Sequence, residues 1–330
     1  MSVKTDVLQL LELHRGEYLS GGQLAQRLYV SRTAVWKAIR ALQEHGYPIE
    51  AQPHRGYCLP PETDILSPQS LQKYWDGDCP FTFEVYPQLP STNLTAKEAA
   101  AQGAPEGLVV LAREQTAGRG RLGRQFYSPS GTGLYMSLLL RPRISASDCL
   151  LITTAAAVAT ASAIEKVTGW DAKIKWVNDV FCDGHKVCGI LTEASFDLEG
   201  GSPEYAICGI GVNLCPPEGG FPAELQNIAG ALFDEDPPAD ICSRLAAEIL
   251  KNFWGLYQQL PRHSFLEEYR RRSLLTGRSV LVLCPGQDPE PAVVLGIEDD
   301  FRLKVRMENS AADGREEIRF LSSGEVSIRL

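Results

Sequence analysis

Residues 118–124, which we term the arginine loop, bring three glycines and three arginines together in one short stretch. Glycine frees the backbone to approach a ligand, whereas arginine carries a planar, permanently charged guanidinium that can form two parallel hydrogen bonds to an oxyanion. The composition of the loop therefore predicts a binding site for phosphates, above all those of a nucleotide. Taken alone, the loop is also compatible with a solvated surface or a general nucleic-acid patch.

The arginine loop also matches the pattern G-x-G-x-x-G, which is typical of dinucleotide-binding folds. In such folds a helix begins at the loop, and an acidic residue follows about 20 residues later. Here residues 125–131 include Ser-Pro-Ser-Gly and cannot begin a helix, and the strand predicted at 134–140 ends in Arg-Pro-Arg without an acid. A kinase-like glycine loop is disfavoured as well, because no catalytic-loop or metal-binding triplet follows.

The composition limits the classes of protein to which the chain can belong. Its 330 residues are enough for two or three domains with a substantial core. The formal net charge of −9 argues against a protein that coats nucleic acid, so any DNA contact must be local. The nine cysteines are scattered without a C-x-x-C pair, which predicts reduced, mostly buried side chains in a cytosolic protein.

Two apolar stretches have to be distinguished from targeting or membrane segments. Residues 3–14 follow the pattern of an amphipathic helix that carries Asp6 and Glu12, which excludes a signal peptide. The most apolar helix, predicted at about 147–168, is interrupted by Thr, Ser and Glu residues, so we expect a core helix rather than a membrane span. The sequence therefore predicts a cytoplasmic protein without a membrane partner.

Residues 1–62 are predicted to form a winged helix-turn-helix domain. Ser20 and Ser31 can each cap a short helix, and a tight turn separates the two helices. Residues 47–58 then match a two-stranded wing, although a small helical protein-interaction domain is an alternative interpretation. In a helix-turn-helix the second helix meets the bases and basic side chains meet the phosphates. The predicted DNA-binding residues are Ser31, Arg32, Thr33, Trp36, Lys37, Arg40, His54 and Arg55.

Residues 63–274 are predicted to form a mixed sheet covered by helices. Asp183-Gly184 is a strong signal for a hairpin between two neighbouring strands. Because strands follow one another directly along much of this region, a mixed sheet is favoured over a doubly wound parallel one. Strands are predicted at 81–86, 108–112, 134–140, 173–176, 180–182, 186–191 and 204–214, and helices at 91–103, 147–168, 239–258 and 263–273.

Residues 275–330 are predicted to form a small antiparallel barrel, because short strands alternate with turn signals. The strands are predicted at 279–283, 292–297, 303–307, 317–320 and 326–329, with loops at Pro285-Gly286, Asp299-Asp300 and Asp313-Gly314. The chain as a whole is therefore predicted to be an α+β protein of three domains.

Four motifs, in this order and spacing, resemble those of the biotin–protein ligases that also act as biotin-operon repressors. They are the arginine loop followed by Ser128-Pro129, Lys175-Trp176-Val177-Asn178-Asp179, Gly209-Ile210-Gly211-Val212-Asn213, and Gly324-Glu325-Val326-Ser327. With the predicted winged helix in front, the resemblance covers essentially the whole chain. It implies a winged helix-turn-helix domain, a central mixed-sheet α/β ligase domain similar to class II synthetases, and a C-terminal SH3-like β-barrel.

The resemblance implies a two-step reaction that needs no enzyme nucleophile. The carboxylate of biotin attacks the α-phosphate of ATP, which gives biotinyl-5′-AMP and pyrophosphate. A lysine of a biotin carboxyl carrier protein, a subunit of acetyl-CoA carboxylase, then takes the biotinyl group and releases AMP. The enzyme contributes positioning and charge stabilisation, and Mg²⁺ is the implied metal.

The resemblance also implies roles for individual residues. The implied catalytic residues, at the linkage where negative charge gathers in both steps, are Arg119, Arg121 and Lys186. The implied biotin-binding residues are these three together with Ser91, Thr92, Asn93, Gln115, Gly118, Gly189 and Gly209. The implied nucleotide-binding residues are Arg121, Arg124, Phe126, Asn178, Lys186 and Asn213, and the implied metal ligand is Asp179.

Simpler structural interpretations compete with some of these roles. Ser91 and Thr92 could serve only as a helix cap. Lys186 could lie on the surface, and Trp176 could only pack in the core. The chain also has Phe126 where the family often has tryptophan, at a position associated with packing over the adenine, and phenylalanine offers less stacking area.

The partners implied by the resemblance are operator DNA, the carrier protein, and a second copy of the chain in a homodimer that forms when the adenylate is bound. Two alternatives stay open. One is a transcription regulator that senses a small molecule and has lost ligation, against which the loop arginines and Lys186 argue. The other is a related acyl–protein ligase that uses lipoate, against which the winged helix, the terminal barrel and the arginine loop argue.

Overall fold

A computed structural model describes residues 2–75, 77–145, 148–196, 203–283, 288–308, 316–322 and 325–328. The predictions that lie outside the described residues are the loops at Pro285-Gly286 and Asp313-Gly314, Gly324 of the fourth motif, the first residue of the helix predicted at 147–168 and the last residue of the strand predicted at 326–329. Within the described chain, the structure confirms the predicted combination of a winged helix-turn-helix, a mixed sheet with helices and a C-terminal antiparallel sheet.

Three helices and a two-stranded wing form the N-terminal part of the fold. Helix α1 spans Val3–Leu13, α2 spans Gly21–Leu28 and α3 spans Arg32–Glu44, while strand β1 spans Glu50–Gln52 and β2 spans Gly56–Cys58. Helices α2 and α3 begin where predicted, because the hydroxyls of Ser20 and Ser31 accept hydrogen bonds from backbone N–H groups of the first turn. These elements share an apolar core of their own, which includes Val7, Leu11, Leu24, Val35, Ile39 and Leu42.

A seven-stranded sheet forms the centre of the chain. Its strands are β3 (Thr82–Tyr86), β4 (Leu108–Ala112), β5 (Gly133–Leu140), β6 (Lys173–Lys175), β7 (Asp179–Cys182), β8 (His185–Phe196) and β9 (Pro203–Asn213). Their order across the sheet is β3-β4-β5-β9-β8-β7-β6, and β3 pairs with β4 in parallel whereas the other pairs are antiparallel. The predicted mixed sheet and the hairpin at Asp183-Gly184 are therefore confirmed.

Helices cover both faces of the central sheet. They are α4 (Pro68–Gln72), α5 (Thr92–Ala101), α6 (Cys149–Thr168), α7 (Ile241–Tyr257) and α8 (Leu266–Arg271). Helix α8 begins later than the predicted residue 263, because His263 has a left-handed backbone with φ 50°. By length and composition α6 could cross a membrane, but 72 % of its most apolar 18-residue stretch is buried inside the protein. Packing against the sheet accounts for this apolar surface, as the sequence predicted.

Five short strands form the C-terminal sheet. They are β10 (Ser279–Leu283), β11 (Glu290–Ile297), β12 (Leu303–Met307), β13 (Ile318–Leu321) and β14 (Glu325–Ile328), in the antiparallel order β13-β12-β11-β10-β14. The apolar face of this sheet joins the core of the central sheet. The ring centroid of Phe301 lies 5.0 Å from that of Phe265 and 5.5 Å from that of Tyr269. The C-terminal part of the chain therefore packs against the central domain through these aromatic contacts.

A buried cluster of four charged side chains joins the winged helix to the central sheet. The Glu12 carboxylate on α1 accepts from Arg15 Nε at 2.7 Å and from Lys73 Nζ at 3.3 Å. Asp240, which precedes α7, lies 2.5 Å from Lys73 Nζ and 3.4 Å from Arg15 Nη2. The Glu12 side chain is fully buried, and the other three are 10 to 12 % exposed. We term these residues the interdomain charge cluster; two cations and two acids in it neutralise each other.

The ion pairs of α8 predict a loss of stability in acid. Hydrogen bonding to Arg271, together with the positive charge of Arg272, lowers the pKa of Glu268 from 4.5 to about 2. Because the unfolded chain binds more protons than the folded one between these values, the contribution is complete above pH 4.5 and is lost as the pH falls to about 2. We expect Glu268→Gln to be less stable than the unmodified chain at pH 6 and equally stable near pH 2.

Urea unfolding at a series of pH values checks this expectation. Glu267→Gln is the matched control, because the Glu267 side chain is 84 % exposed and its loss should leave the acid dependence unchanged. A Glu268→Gln variant whose stability falls as steeply between pH 4.5 and 2 as that of the unmodified chain would contradict the expectation.

Candidate active site

A cavity of about 440 Å³ opens between the arginine loop and strands β7, β8 and β9. In the part of the chain that the structure describes, its lining includes every residue with an implied biotin, nucleotide or metal role except Gly118. The stretches that meet here include residues 91–93, 119–127, 175–179, 186–191 and 209–213. The fold thus brings together motifs that lie far apart in the sequence, in a space of the size usual for small-molecule sites.

The arginine loop is the tip of a hairpin whose backbone closes on itself. At the base of the hairpin, Gln115 N–H donates to Ser128 O at 3.0 Å, and further along Phe126 N–H donates to Gly118 O at 3.0 Å. At the tip, Leu122 has a left-handed backbone with φ 55° and is 66 % exposed. A Cβ atom at Gly118 would lie 2.3 Å from Phe126 O. The hairpin itself therefore requires glycine at 118, which lies against the returning chain rather than in the cavity lining.

The start of helix α5 supplies one polar wall of the cavity. Gln115 Oε1 accepts from the backbone N–H of Thr92 at 2.8 Å and from its hydroxyl at 3.1 Å, and Gln115 Nε2 donates to Ser128 Oγ at 3.0 Å. Ser91 occupies the N-cap position of α5, but within the described structure its hydroxyl makes no capping hydrogen bond. The Gln115 side chain caps the helix instead, which corrects the interpretation of Ser91 as a plain side-chain cap.

Strand glycines form part of the floor of the cavity, and two side chains fill the space above them. Gly189 and Gly211 are direct partners across β8 and β9. A Cβ atom at Gly211 would lie 2.6 Å from the Phe126 ring, and one at Gly189 would lie 3.2 Å from it. A Cβ atom at Gly209 would lie 2.1 Å from Asn93 Oδ1. A ligand can reach the floor at Gly189 and Gly211 only when the Phe126 ring moves away.

The loop arginines reach the cavity with protein partners of their own. Arg119 Nη1 lies 3.2 Å from Glu193 Oε1, and Arg121 Nη1 donates to Asn178 Oδ1 at 3.1 Å. Arg119 nevertheless remains 47 % exposed. The other cationic residues in the lining are Arg124, Lys175 and Lys186. This concentration of positive charge makes the cavity a site for an anion.

Lys186, Asn178 and Asp179 form a second group of contacts. Lys186 Nζ lies 2.7 Å from Asp179 Oδ1, which also accepts from Asn178 Nδ2 at 3.0 Å. The backbone N–H of Lys186 donates to Ile228 O at 2.8 Å, and Lys186 O accepts from Gly230 N–H at 2.9 Å. The Lys186 side chain is 27 % exposed, so it points into the site and is not a free surface lysine.

The turn at 176–178 is held from beneath by groups on other elements. The Tyr269 hydroxyl donates to Val177 O at 3.0 Å, and burial raises the pKa of this fully buried tyrosine, which keeps it a donor. Trp176 Nε1 donates to Phe301 O at 2.9 Å. Trp176 is 5 % exposed, so the core-packing interpretation accounts for most of its surface. The segment between β11 and β12 thus supports the turn through Trp176, while Asn178 itself donates from Nδ2 to Ile190 O on β8 at 2.9 Å.

The donor set around Asp179 decides what kind of metal site is possible. Among the described residues, no group of three His, Cys, Asp or Glu side chains could hold a metal ion. Asp179 offers one carboxylate, whose Oδ1 already meets Lys186 and Asn178. Mg²⁺ keeps several waters and binds through one or two carboxylates together with substrate phosphates. The residues therefore fit a magnesium ion that binds with a nucleotide, and do not fit one held by protein alone.

Part of the cavity was not predicted from the sequence. The structure adds Lys175, Phe221, Leu225, Ile228, Ala229 and Leu283 to the lining, with Glu193 beside Arg119. The segment 221–229 lies in a region rich in proline and glycine, where no motif marks a site. One feature that distinguishes this segment is the large apolar residue Ile228, which is 52 % exposed.

The predicted DNA-binding residues are all exposed. A groove between α3 and the wing is lined by Arg32, Thr33, Trp36 and His54, among others. The Arg40 guanidinium lies 5.6 Å from the Trp36 ring centroid, and that of Arg55 lies 4.1 Å from the Tyr18 ring centroid. The Ser31 hydroxyl is used locally to cap α3. Cationic and aromatic side chains thus line a groove of the kind that a helix-turn-helix presents to DNA.

The fold and the two sites define a nucleotide-dependent ligase joined to a DNA-binding domain. Residues 85–213 match the biotin/lipoate A/B protein ligase family, and residues 3–58 match an HTH domain. The chain is 38 % identical over 265 residues to the bifunctional ligase/repressor BirA of Bacillus subtilis, an alignment that covers 80 % of this chain and 81 % of that protein. The chain therefore belongs to the biotin protein ligase family, in its bifunctional ligase/repressor form.

Further relatives agree with this assignment. The chain is 30 % identical over 227 residues to the biotin–[acetyl-CoA-carboxylase] ligase of Mycobacterium tuberculosis, covering 67 % of this chain and 81 % of that protein. The structure of the biotin protein ligase from Aquifex aeolicus in complex with biotin and ATP superimposes with a TM-score of 0.58 and 25 % identity, covering 75 % of this chain and 98 % of that one. The chain is thus a biotin–protein ligase with a helix-turn-helix repressor domain, and the sensor-only and lipoate alternatives are less supported.

Proposed function

We propose that the cavity forms biotinyl-5′-AMP, with the biotin carboxylate beside Arg119 and Arg121. The observation that carries this assignment is the concentration of cationic side chains between the polar wall of α5 and the turn that holds Asn178. Both the carboxylate of biotin and the α-phosphate of ATP are anions, and each needs compensating charge when the two are brought together. Arg119, Arg121 and Lys186 supply that charge and are the proposed catalytic residues.

The biotin ring occupies the side of the cavity formed by Ser91, Thr92, Asn93 and Gln115 in this proposal. Its ureido group offers both donors and acceptors, and the hydroxyls and amides of this wall provide both complements. Gly189 and Gly209 contribute floor without side-chain bulk. Gly118 contributes indirectly, because it allows the hairpin that carries the arginines to close.

The nucleotide occupies the other side, between Arg124, Asn178 and Asn213. Asn213 Nδ2 donates to Gly230 O at 2.9 Å, which supports a role in shaping the wall near the base rather than in chemistry. The Phe126 ring leaves the glycine floor in this proposal and packs over the adenine, with less contact area than an indole would give.

The chemistry follows from charge placement alone. In the first step a carboxylate oxygen of biotin forms a bond to the α-phosphorus while the bond to the departing pyrophosphate breaks. In the second step the neutral amine of a carrier lysine forms a bond to the acyl carbon, AMP leaves with the electron pair of the broken bond, and a proton passes to solvent. The enzyme needs no nucleophile of its own, because the mixed anhydride is already activated.

We propose Asp179 as the protein ligand of a Mg²⁺ ion that also binds the nucleotide phosphates. When bound, such an ion would supply positive charge beside the nucleotide phosphates. The support is the fit of a single carboxylate at the phosphate side of the cavity. Loss of pyrophosphate exchange on chelation, restored by added Mg²⁺, is the expected result; exchange that survives chelation speaks against the ion.

The decisive experiment measures transfer of labelled biotin to a biotin carboxyl carrier domain. We expect labelled carrier only when biotin and ATP are both present. A small-molecule sensor without ligase activity would bind biotin and leave the carrier unlabelled. A lipoate-specific enzyme would label the carrier poorly and would bind lipoate in preference when the two vitamins compete.

We propose that the winged helix binds operator DNA through α3 and the wing. Arg55 on the wing is expected to contact phosphate, so Arg55→Ala should weaken binding about equally for all duplex sequences. It should also reduce the slope of log K against log salt by about 1. Fluorescence anisotropy of labelled duplex DNA at several salt concentrations measures both effects. Lys166→Ala is the control, because Lys166 is an exposed lysine on α6 whose loss should change neither quantity.

We also propose that the adenylate-bound chain forms a homodimer. One chain carries one winged helix, and a palindromic operator requires two. Sedimentation of the chain with and without biotin and ATP tests this: a monomer in both conditions would refute it.

We further propose that the chain folds into three domains, at residues 1–62, 63–274 and 275–330. We also propose that the protein is cytoplasmic. The separate core of the winged helix and the separate C-terminal sheet support the boundaries. The eight cysteines among the described residues are free, which supports a reducing compartment. Burial raises the pKa of Cys208 to about 12, so this thiol stays protonated and unreactive.

A further inference from the structure

An acidic residue outside the predicted site, Glu193, lies beside Arg119. Glu193 on β8 places Oε1 3.2 Å from Arg119 Nη1, and its Oε2 accepts from Asn93 Nδ2 at 2.8 Å. The Glu193 side chain is 27 % exposed, whereas that of Arg119 is 47 % exposed. The acid lies on strand β8, and the arginine reaches it from the arginine loop.

Asn93 keeps Glu193 in place. Asn93 is 5 % exposed, and its Oδ1 lies 2.6 Å from the hydroxyl of the fully buried Ser137. Its amide also fills the space above Gly209, where a Cβ atom would lie 2.1 Å away. Because Asn93 cannot turn without losing these contacts, Oε2 of Glu193 stays bonded to it and Oε1 stays directed at the arginine loop.

We propose that Glu193 is a positioning residue that holds Arg119 at the cavity and competes with the biotin carboxylate for its guanidinium. This inference rests on the proposed function, which puts that carboxylate beside Arg119. Pairing with Glu193 offsets part of the charge of Arg119, so a carboxylate ligand gains less from this arginine than from an unpaired one.

The competition depends on the charge of the acyl group. Free biotin is an anion, so its carboxylate competes with Glu193 for the Arg119 guanidinium. A neutral acyl group such as an ester does not compete in this way. Glu193 therefore limits how tightly the free vitamin is held without affecting recognition of its ring. The biotinyl amide of the finished carrier is also neutral, and Glu193 leaves its release unaffected.

The test compares equilibrium binding of biotin and of biotin methyl ester to the full chain and to Glu193→Gln. Glutamine keeps an oxygen that can accept from Asn93 and removes the charge that faces Arg119. We expect the variant to bind biotin about threefold more tightly at low salt, with a smaller gain at high salt, and to bind the ester unchanged. Asp171→Asn is the matched control, because it removes one negative charge at a side chain that is 69 % exposed and pairs with Lys173.

Two results would overturn the proposal: unchanged affinity of Glu193→Gln for biotin, or an equal change for biotin and the ester. Arg119→Gln separates this failure from failure of the proposed function. If the proposed function holds, Arg119→Gln weakens biotin binding more than ester binding; equal binding of both ligands to Arg119→Gln and to the unmodified chain would place the carboxylate elsewhere.

The double variant supplies the last arm of the test. With Arg119→Gln already present, Glu193→Gln should give no further gain for biotin, because no guanidinium is left to release. Should Glu193→Gln fail to fold, Glu193→Asp withdraws the carboxylate from Arg119 by one methylene and is expected to show the same selective gain. A gain that persists in the double variant would overturn the proposal.

Discussion

Biotin-dependent exchange of pyrophosphate with ATP is expected to fall by roughly 10²-fold or more when Arg121 is replaced with alanine. Arg121 enters the cavity from the arginine loop, and its Nη1 donates to Asn178 Oδ1 at 3.1 Å. Its guanidinium is thus already directed to the proposed position of the reacting phosphate, so that no reorganisation is needed as charge develops there. Because this contact should strengthen in the transition state, kcat and kcat/KM should fall together.

Exchange of labelled pyrophosphate, with and without biotin, measures this effect. Arg262→Ala is the matched control: Arg262 is an exposed arginine outside the described lining of the cavity, and its loss should leave exchange unchanged. An Arg121→Ala variant that folds normally and exchanges at the rate of the unmodified chain would remove the basis of the proposed site.

Replacing Glu12 with alanine is expected to lower the free energy of unfolding by about 3 kcal/mol. The Glu12 carboxylate is fully buried between Arg15 and Lys73 in the interdomain charge cluster. Without it, two cations with side chains 10 to 12 % exposed face the single carboxylate of Asp240. An unbalanced charge in a mostly buried position is costly because its surroundings solvate it less well than water does.

Urea unfolding gives the loss of stability, and limited proteolysis between the winged helix and the central sheet reports on the junction. Glu17→Ala is the control, because Glu17 pairs with His14 on the surface and its side chain is 69 % exposed. Its loss should change stability by less than about 1 kcal/mol. Equal stabilities of Glu12→Ala and Glu17→Ala would show that the cluster does not hold the winged helix in place.

The parts of the fold that local chemistry specifies were predictable from the sequence. Ser20 and Ser31 cap helices at the predicted residues, since each hydroxyl satisfies a backbone donor of the first turn. Asp183-Gly184 forms the predicted hairpin because both residues tolerate positive φ. Helix α8 is shorter than predicted because His263 has a left-handed backbone; its ring Nδ1 lies 3.0 Å from Asp299 O, a contact between distant residues that local sequence does not reveal.

The candidate site was only partly predictable, for a physical reason. Residue types indicate where the backbone needs space or where positive charge is needed. They do not indicate which group occupies that space or pairs with that charge. Gly118 and Gly209 do lie where another group comes close to the backbone. That group is a part of the protein in each case: Phe126 O at Gly118 and the Asn93 side chain at Gly209. Glu193 carried no signal at all, because its importance arises only when β8 is placed next to the arginine loop.

The hydrogen bond from Trp176 Nε1 to Phe301 O has a consequence for the order in which parts of the protein can fold during synthesis. The buried residues of the winged-helix core lie between Val7 and Leu59, so this core can form early in synthesis. The turn that carries Asn178, in contrast, lacks one of its supports, the hydrogen bond from Trp176 Nε1 to Phe301 O, until Phe301 has been synthesised. A gene with a premature stop codon between the codons for Leu59 and Phe301 would therefore encode a product that keeps the apolar core of the winged helix but lacks the hydrogen bond from Trp176 to Phe301 O beside the ligase site.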